Sequence, residues 1–258
     1  MTAALAHSRS MTIRHLRELW RQPWYVAITL VQPVVWLLLF GALFKRVVEI
    51  PGFGGGSYID FLTPGIVVMT ALFTAGWSGM TVIEDINRGV MDRFLVSPVA
   101  RSSLIAGRLG QLAVTVVIQS LIVVGLGVAV GARFPGGAVG VAVLVASSVL
   151  LAWAVGALSI GLALVARQEE TLIGAVQFVV LPATFLSAGL MKQELAPGWV
   201  QTVAGFNPVN WAIEAGREAL GANVDWTLVT SRVGLLALCA ALCGWVSTRA
   251  FRAYQRSV

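Results

Sequence analysis

The sequence predicts an all-α polytopic membrane protein, and three observations carry that prediction. Apolar residues make up 57% of the 258 residues, and the mean hydropathy is +0.83. Charged residues make up 12%, about half of the roughly 25% that a water-soluble domain uses. The apolar residues are also gathered into runs close to or above the roughly 20 residues needed to cross about 30 Å of hydrocarbon. One membrane domain covering 1–258 accounts for the whole chain.

The first 23 residues are polar and basic, and no small-residue cleavage site follows the first apolar run, so no cleaved signal segment is expected. Within them, residues 11–22 (MTIRHLRELWRQ) place Ile13, Leu16, Leu19 and Trp20 on one helical face, and Arg14, Arg17, Glu18 and Arg21 on the other. That pattern predicts an amphipathic helix lying in the membrane interface. The alternative is a short basic tail that only fixes topology.

Six spans follow, at 24–44, 61–83, 104–130, 138–166, 171–190 and 228–248. Pro33 and Pro182 fall inside the first and fifth and predict kinks, which bilayer helices tolerate when neighbours satisfy the freed carbonyls. GFGGGS at 52–57 reads as a flexible loop. Residues 194–223 are apolar but broken by Pro197, Gly205 and Pro208, and neither half is long enough to cross. Asn207-Pro208 marks a turn between two short helices. The segment is expected to be a re-entrant hairpin dipping into the outer leaflet; a plain amphipathic surface loop is the alternative. Gly127 and Gly131 are spaced as a helix-packing pair, a spacing that chance also supplies in a chain with 27 glycines.

Orientation follows from the basic residues. With the N-terminus cytoplasmic, twelve of the 18 Lys and Arg residues fall on the cytoplasmic side, including Arg9, Arg14, Arg17 and Arg21. Lys45, Arg46, Arg133, Lys192, Arg217 and Arg232 fall on the other. Both termini are therefore expected in the cytoplasm. The net charge of +6 is dispersed beside apolar runs rather than concentrated in a stripe. It suits lipid headgroups and topology, not nucleic acid.

The chain carries little catalytic chemistry. No G-x-x-x-x-G-K-[ST] loop is present, and Lys45 and Lys192 are its lysines. His7 and His15 are isolated at the basic N-terminal edge. Cys239 and Cys243 lack histidine or carboxylate neighbours and read as small apolar residues rather than as a metal site. No catalytic residue, metal or cofactor is expected on this chain. Deeply placed ionisable residues, which would mark an ion path, are nearly absent from the predicted span centres.

Residues 84–108, EDINRGVMDRFLVSPVARSSLIAGR, are the exception, holding seven charged residues between two apolar spans. Ile83, Ile86, Val90 and Phe94 recur at helical spacing, with Glu84, Asp85, Arg88, Asp92 and Arg93 around them. The second span is thus expected to continue as an amphipathic helix that stops before Pro98. Ser97 then suits an N-cap, and Pro98 the first position of the next helix. A simple turn would need only a few residues. A charged helix with an apolar stripe, on a chain without an energy source, suggests docking to a soluble partner.

With these residues in hand, the chain resembles the type 2 permeases of ATP-binding cassette (ABC) exporters, and in particular the daunorubicin-resistance permease group. YIDFLTPGIVVMTALF at 58–73 carries part of the resemblance. The loop pattern carries the rest, through Glu84, Asp85, Arg88, Gly89, Asp92, Arg93, Leu95, Pro98 and Arg101, and EAGREALG at 214–221 adds to it. The resemblance implies a six-helix fold with an interfacial helix and a re-entrant outer hairpin. It implies a second permease, identical or homologous. It implies two cytoplasmic ATPase subunits that bind ATP and Mg and dock on residues 84–103. The expected function is ATP-driven export of an amphiphile across the plasma membrane, a drug-like molecule first and a lipid or lipid-linked saccharide second. Trp36, Phe40, Phe73, Trp77, Phe178 and Phe185 are candidate pathway residues; ordinary packing or lipid contact is the alternative. A self-sufficient secondary carrier or channel is the rival of a different class.

Overall fold

The computed structural model describes residues 23–49, 57–89 and 101–254. Among them the regular elements are all helical. Nine α-helices run in order: α1 (Pro23–Leu43), α2 (Tyr58–Gly76), α3 (Met80–Asn87), α4 (Arg101–Ala129), α5 (Gly137–Ala166), α6 (Glu169–Phe185), α7 (Gly198–Gly205), α8 (Pro208–Leu220) and α9 (Trp226–Tyr254). Among the described residues, four stretches are long and apolar enough to cross a membrane: Tyr58–Asn87, Ala106–Ala129, Gly137–Ala166 and Trp226–Ala250. The apolar stretch Thr29–Leu43 of α1 and the 17-residue α6 are shorter. Pro33 and Pro182 both lie inside helices, as expected.

α5 is the axis of the bundle, packed by α2, α4, α8 and α9. It is apolar almost throughout, and small residues let its neighbours approach. A Cβ on Gly140 would stand 2.3 Å from the Ala219 carbonyl oxygen of α8, and one on Gly216 would stand 2.4 Å from Leu144. Large apolar side chains of α6 and α9 face outward, among them Phe178, Phe185, Leu238, Leu242 and Trp245. Such a surface is at ease against lipid tails or another apolar chain and costly in water.

The continuous helix expected from 61 through 96 is interrupted twice. First, Trp77–Gly79 tightens into a 3-10 turn. Ser159 of α5 holds it, donating to the Gly76 carbonyl at 2.6 Å and accepting from the Gly79 N–H at 3.0 Å. Second, α3 stops at Asn87 because Gly89 takes φ +64°, the left-handed conformation that closes helices. Asp92, Arg93, Leu95 and Pro98 lie outside the described residues, as do Arg14, Arg17, Trp20 and Arg21.

The fifth span expected to reach Leu190 is also cut short, at Phe185. The unwound backbone beyond it is covered by protein, as non-helical backbone in a bilayer requires. Asn207 donates its amide to the carbonyls of Ala183 and Leu186 at 2.7 and 2.9 Å. Asn210 accepts from the Ala188 N–H at 2.9 Å. Tyr58 donates its hydroxyl to Leu190 O at 2.9 Å. Gly65 permits the approach, since a Cβ there would meet the Gly189 carbonyl oxygen at 2.3 Å.

Residues 194–223 form the two short helices expected on either side of Asn207-Pro208. Asn207 caps α8, accepting from Val209 N–H at 3.0 Å, and Pro208 occupies the first turn. α8 buries one side against the bundle, including Asn210, Ile213 and Gly216, whereas α7 leaves Trp199 exposed. The Gly127/Gly131 pair does not act as one packing face. Gly127 lies against Thr63, and Gly131 closes α4 at φ +109°.

Candidate functional site

The Asn87 end of the bundle is clamped by charge. Arg108 of α4 pairs with Asp85 of α3 and donates to the Thr81 hydroxyl. Glu84 and Arg88 stand one helical turn apart at 3.8 Å, both exposed, a pairing worth little in itself. Arg101 is the first residue of α4. Of the predicted docking segment, Glu84 and Asp85 therefore lie in the last turn of a short helix, with Arg88 and Gly89 closing it. It is tied to α4 through Asp85 and joined to the 3-10 turn at Trp77–Gly79.

Directly above that turn lies a cavity of about 260 Å³ between α1 and α2. Trp36, Phe73 and Trp77 line it, together with Thr29, Met69 and Thr74. Behind it, Gln119 of α4 is 1% exposed. Its amide nitrogen donates to the Thr29 hydroxyl at 3.0 Å, and its oxygen accepts from the Thr74 hydroxyl at 3.0 Å. One side chain thus joins three helices at the cavity wall. Such interhelical bonds in a bilayer are worth about 0.6 kcal/mol on average.

From this cavity an aromatic series climbs the α1–α2 seam. Phe73 and Trp36 meet edge-on with centroids 6.5 Å apart, and Trp36 and Phe40 meet at 5.6 Å. Phe40 stacks on Phe44 at 5.7 Å, Phe44 meets Tyr58 at 5.9 Å, and Tyr58 stacks on Phe61 at 6.2 Å. The series ends at Arg217, whose guanidinium sits 3.7 Å above the Phe61 ring, a favourable cation–π contact. Arg217 also donates to the carbonyls of Phe61 and Ala188 at 3.1 and 2.9 Å. Burial pulls its pKa down to about 9, an effect the Glu214 carboxylate opposes, so it keeps its charge at neutral pH. Glu214 itself pairs with Arg232 of α9 at 2.7 Å.

Of the six aromatic residues singled out, Trp36, Phe40, Phe73 and Trp77 come together on this seam. Phe178 and Phe185 do not; they point outward from α6, at 82% and 65% exposure. Phe44, Tyr58, Phe61, Thr29, Thr74, Gln119 and Arg108 complete the arrangement and were not singled out. Gln119 carries a readable signal in the sequence, a polar amide near the centre of an apolar run. Cys239 and Cys243 lie on α9 with their sulfurs 4.0 Å apart.

A bundle of helices that are long and apolar enough to cross a membrane is the architecture of a multi-pass membrane protein. The ABC-2 type transporter family matches residues 7–220, and the chain belongs to that family. It is 28% identical over 228 residues to the daunorubicin resistance ABC transporter permease protein DrrB1 of Streptomyces coeruleorubidus, covering 84% of this chain and 77% of that one. It is 30% identical over 217 residues to the putative transport permease ycf38 of Cyanophora paradoxa, with 83% and 73% covered. It is 25% identical over 225 residues to the probable doxorubicin resistance ABC transporter permease protein DrrC of Mycobacterium tuberculosis, with 87% and 79% covered.

Proposed function

We propose that this chain is the membrane subunit of an ATP-driven exporter and that its amphiphilic cargo travels along the α1–α2 seam. The aromatic series from Phe73 to Phe61, starting at a cavity backed by Gln119, carries the reading. It offers flat apolar surface along its length and hydrogen-bonding groups at one end, as a drug-like amphiphile needs. The names of the DrrB1 and DrrC relatives support a drug as cargo. Export of a lipid or lipid-linked saccharide is the second reading, favoured by the cationic Arg217 at the far end of the seam.

In this account α1 and α6 complete six spans, both termini are cytoplasmic, and α7–α8 form a re-entrant hairpin on the outer side of the plasma membrane. A second permease completes the pathway. Two ATPase subunits, carrying ATP and Mg, dock on residues 84–103 and on the interfacial helix 11–22. ATP binding can shift the permease only by its differential affinity for two permease states, so force must pass through a physical contact. The Asp85–Arg108 clamp and the Trp77–Gly79 turn form a short route from that contact to the cavity.

Replacing Asp92 and Arg93 together with alanine tests the docking assignment. The expected result is normal membrane insertion, reduced co-purification of a soluble nucleotide-binding subunit and loss of ATP-driven export from vesicles. Full assembly with full export in that variant would falsify the role given to the loop.

A further inference from the structure

A second cavity, of about 300 Å³, opens at the Tyr58 end of α2, opposite the clamp. Among the described residues its charged lining is Arg133, Lys192 and Arg217 with Asp60. Asp60 holds one backbone donor on each carboxylate oxygen. One oxygen accepts from the Arg133 backbone N–H at 2.7 Å, and the other accepts from the Ser57 N–H at 3.1 Å as part of the α2 capping box. Arg217 is fixed by the two carbonyls and the Phe61 ring described above, and its Nε is buried without a hydrogen-bond partner among the described residues. Apolar side chains, notably Phe61 and Phe134, share the wall.

We infer that this cavity binds an amphiphile through an anionic phosphate headgroup. Three cations from three different segments converge on one space: the α4–α5 connection, the stretch after α6, and α8. A phosphate has enough oxygens to engage several donors at once, and guanidinium forks suit it geometrically. The aromatic and aliphatic walls suit the start of an acyl or isoprenoid chain. A soluble anion would use the cations but leave those walls idle. The site stands whether or not the chain exports drugs, and it is separate from the Gln119 cavity.

The test is native mass spectrometry of the full-length chain offered equal amounts of phosphatidylglycerol and phosphatidylcholine with matched acyl chains. Phosphatidylglycerol should be retained preferentially. The double variant Arg133→Gln, Lys192→Gln should reduce that preference by about fivefold for each cation lost, the scale expected of a basic residue near a phosphate surface. The charge-keeping pair Arg133→Lys, Lys192→Arg should preserve it, which separates loss of charge from misfolding. Equal retention of the two lipids by the unmodified chain, or an undiminished preference in the Gln variant, would overturn the site. Displacement of the lipid by millimolar inorganic phosphate alone would overturn the amphiphile assignment.

Discussion

Gln119 shows how much one side chain can decide in this protein. It is buried in a lipid-compatible bundle, yet both ends of its amide are satisfied, by Thr29 and Thr74. Replacing it with leucine keeps the volume roughly constant and removes both bonds. Because intramembrane hydrogen bonds average about 0.6 kcal/mol, the Gln119→Leu chain should fold, with its detergent melting temperature lowered by only a few degrees. Its cargo selectivity should change more than its stability. Vesicle uptake measured over a panel of amphiphiles should show the more polar members losing several-fold relative to the apolar ones. An unchanged profile would mean that the Gln119 bridge does not shape the cavity that the cargo meets. At this scale the sequence was partly legible. Asp85, Trp36 and Phe73 stood out by charge or ring, whereas the hydroxyls of Thr29 and Thr74 acquire meaning only from the Gln119 amide that folding brings between them.

The helices were the most legible feature, because runs of about 20 apolar residues admit few other structures in a bilayer. Their ends were less so, for physical reasons visible at particular residues. The expected fifth span runs past Phe185 because Leu186, Ala188 and Leu190 are as apolar as the helix before them. What unwinds them is tertiary: Asn207, Asn210, Arg217 and Tyr58 take up the backbone groups, and the first three lie some 20 or more residues downstream. The break at Trp77–Gly79 is likewise imposed from outside, by Ser159 of α5. A 3-10 turn in mid-span often marks a hinge, and this one separates the cavity from the charged clamp. Gly79 permits it, since a Cβ there would lie 2.5 Å from the Ser159 carbonyl oxygen, whereas Gly174 of α6 has open space around it. Gly79→Ala should therefore destabilise the purified chain by about 1–3 kcal/mol, the usual cost of forcing extra volume into a packed site. Gly174→Ala should be neutral or mildly stabilising. Thermal unfolding of the two variants side by side checks this; equal behaviour would mean that the turn is not held by the close α5 contact.

Across the whole molecule, the parts form a line. The clamp at Asp85 and Arg108 leads to the 3-10 turn, then to the Gln119 cavity, then along the rings to Arg217. In the proposed function, work enters at the charged end from an ATPase subunit on another chain. Family membership was legible in residues 58–73 and 84–108, which carry the resemblance; the seam was not, because it joins α1 to α2 across sequence gaps that no periodicity reports. The most direct measurement is cargo transport in liposomes holding the purified permease with and without its ATPase subunits. The account predicts negligible active transport by the permease alone, and transport that starts with ATP once the ATPase is present. Full-rate movement of cargo by the permease alone, without nucleotide, would contradict it.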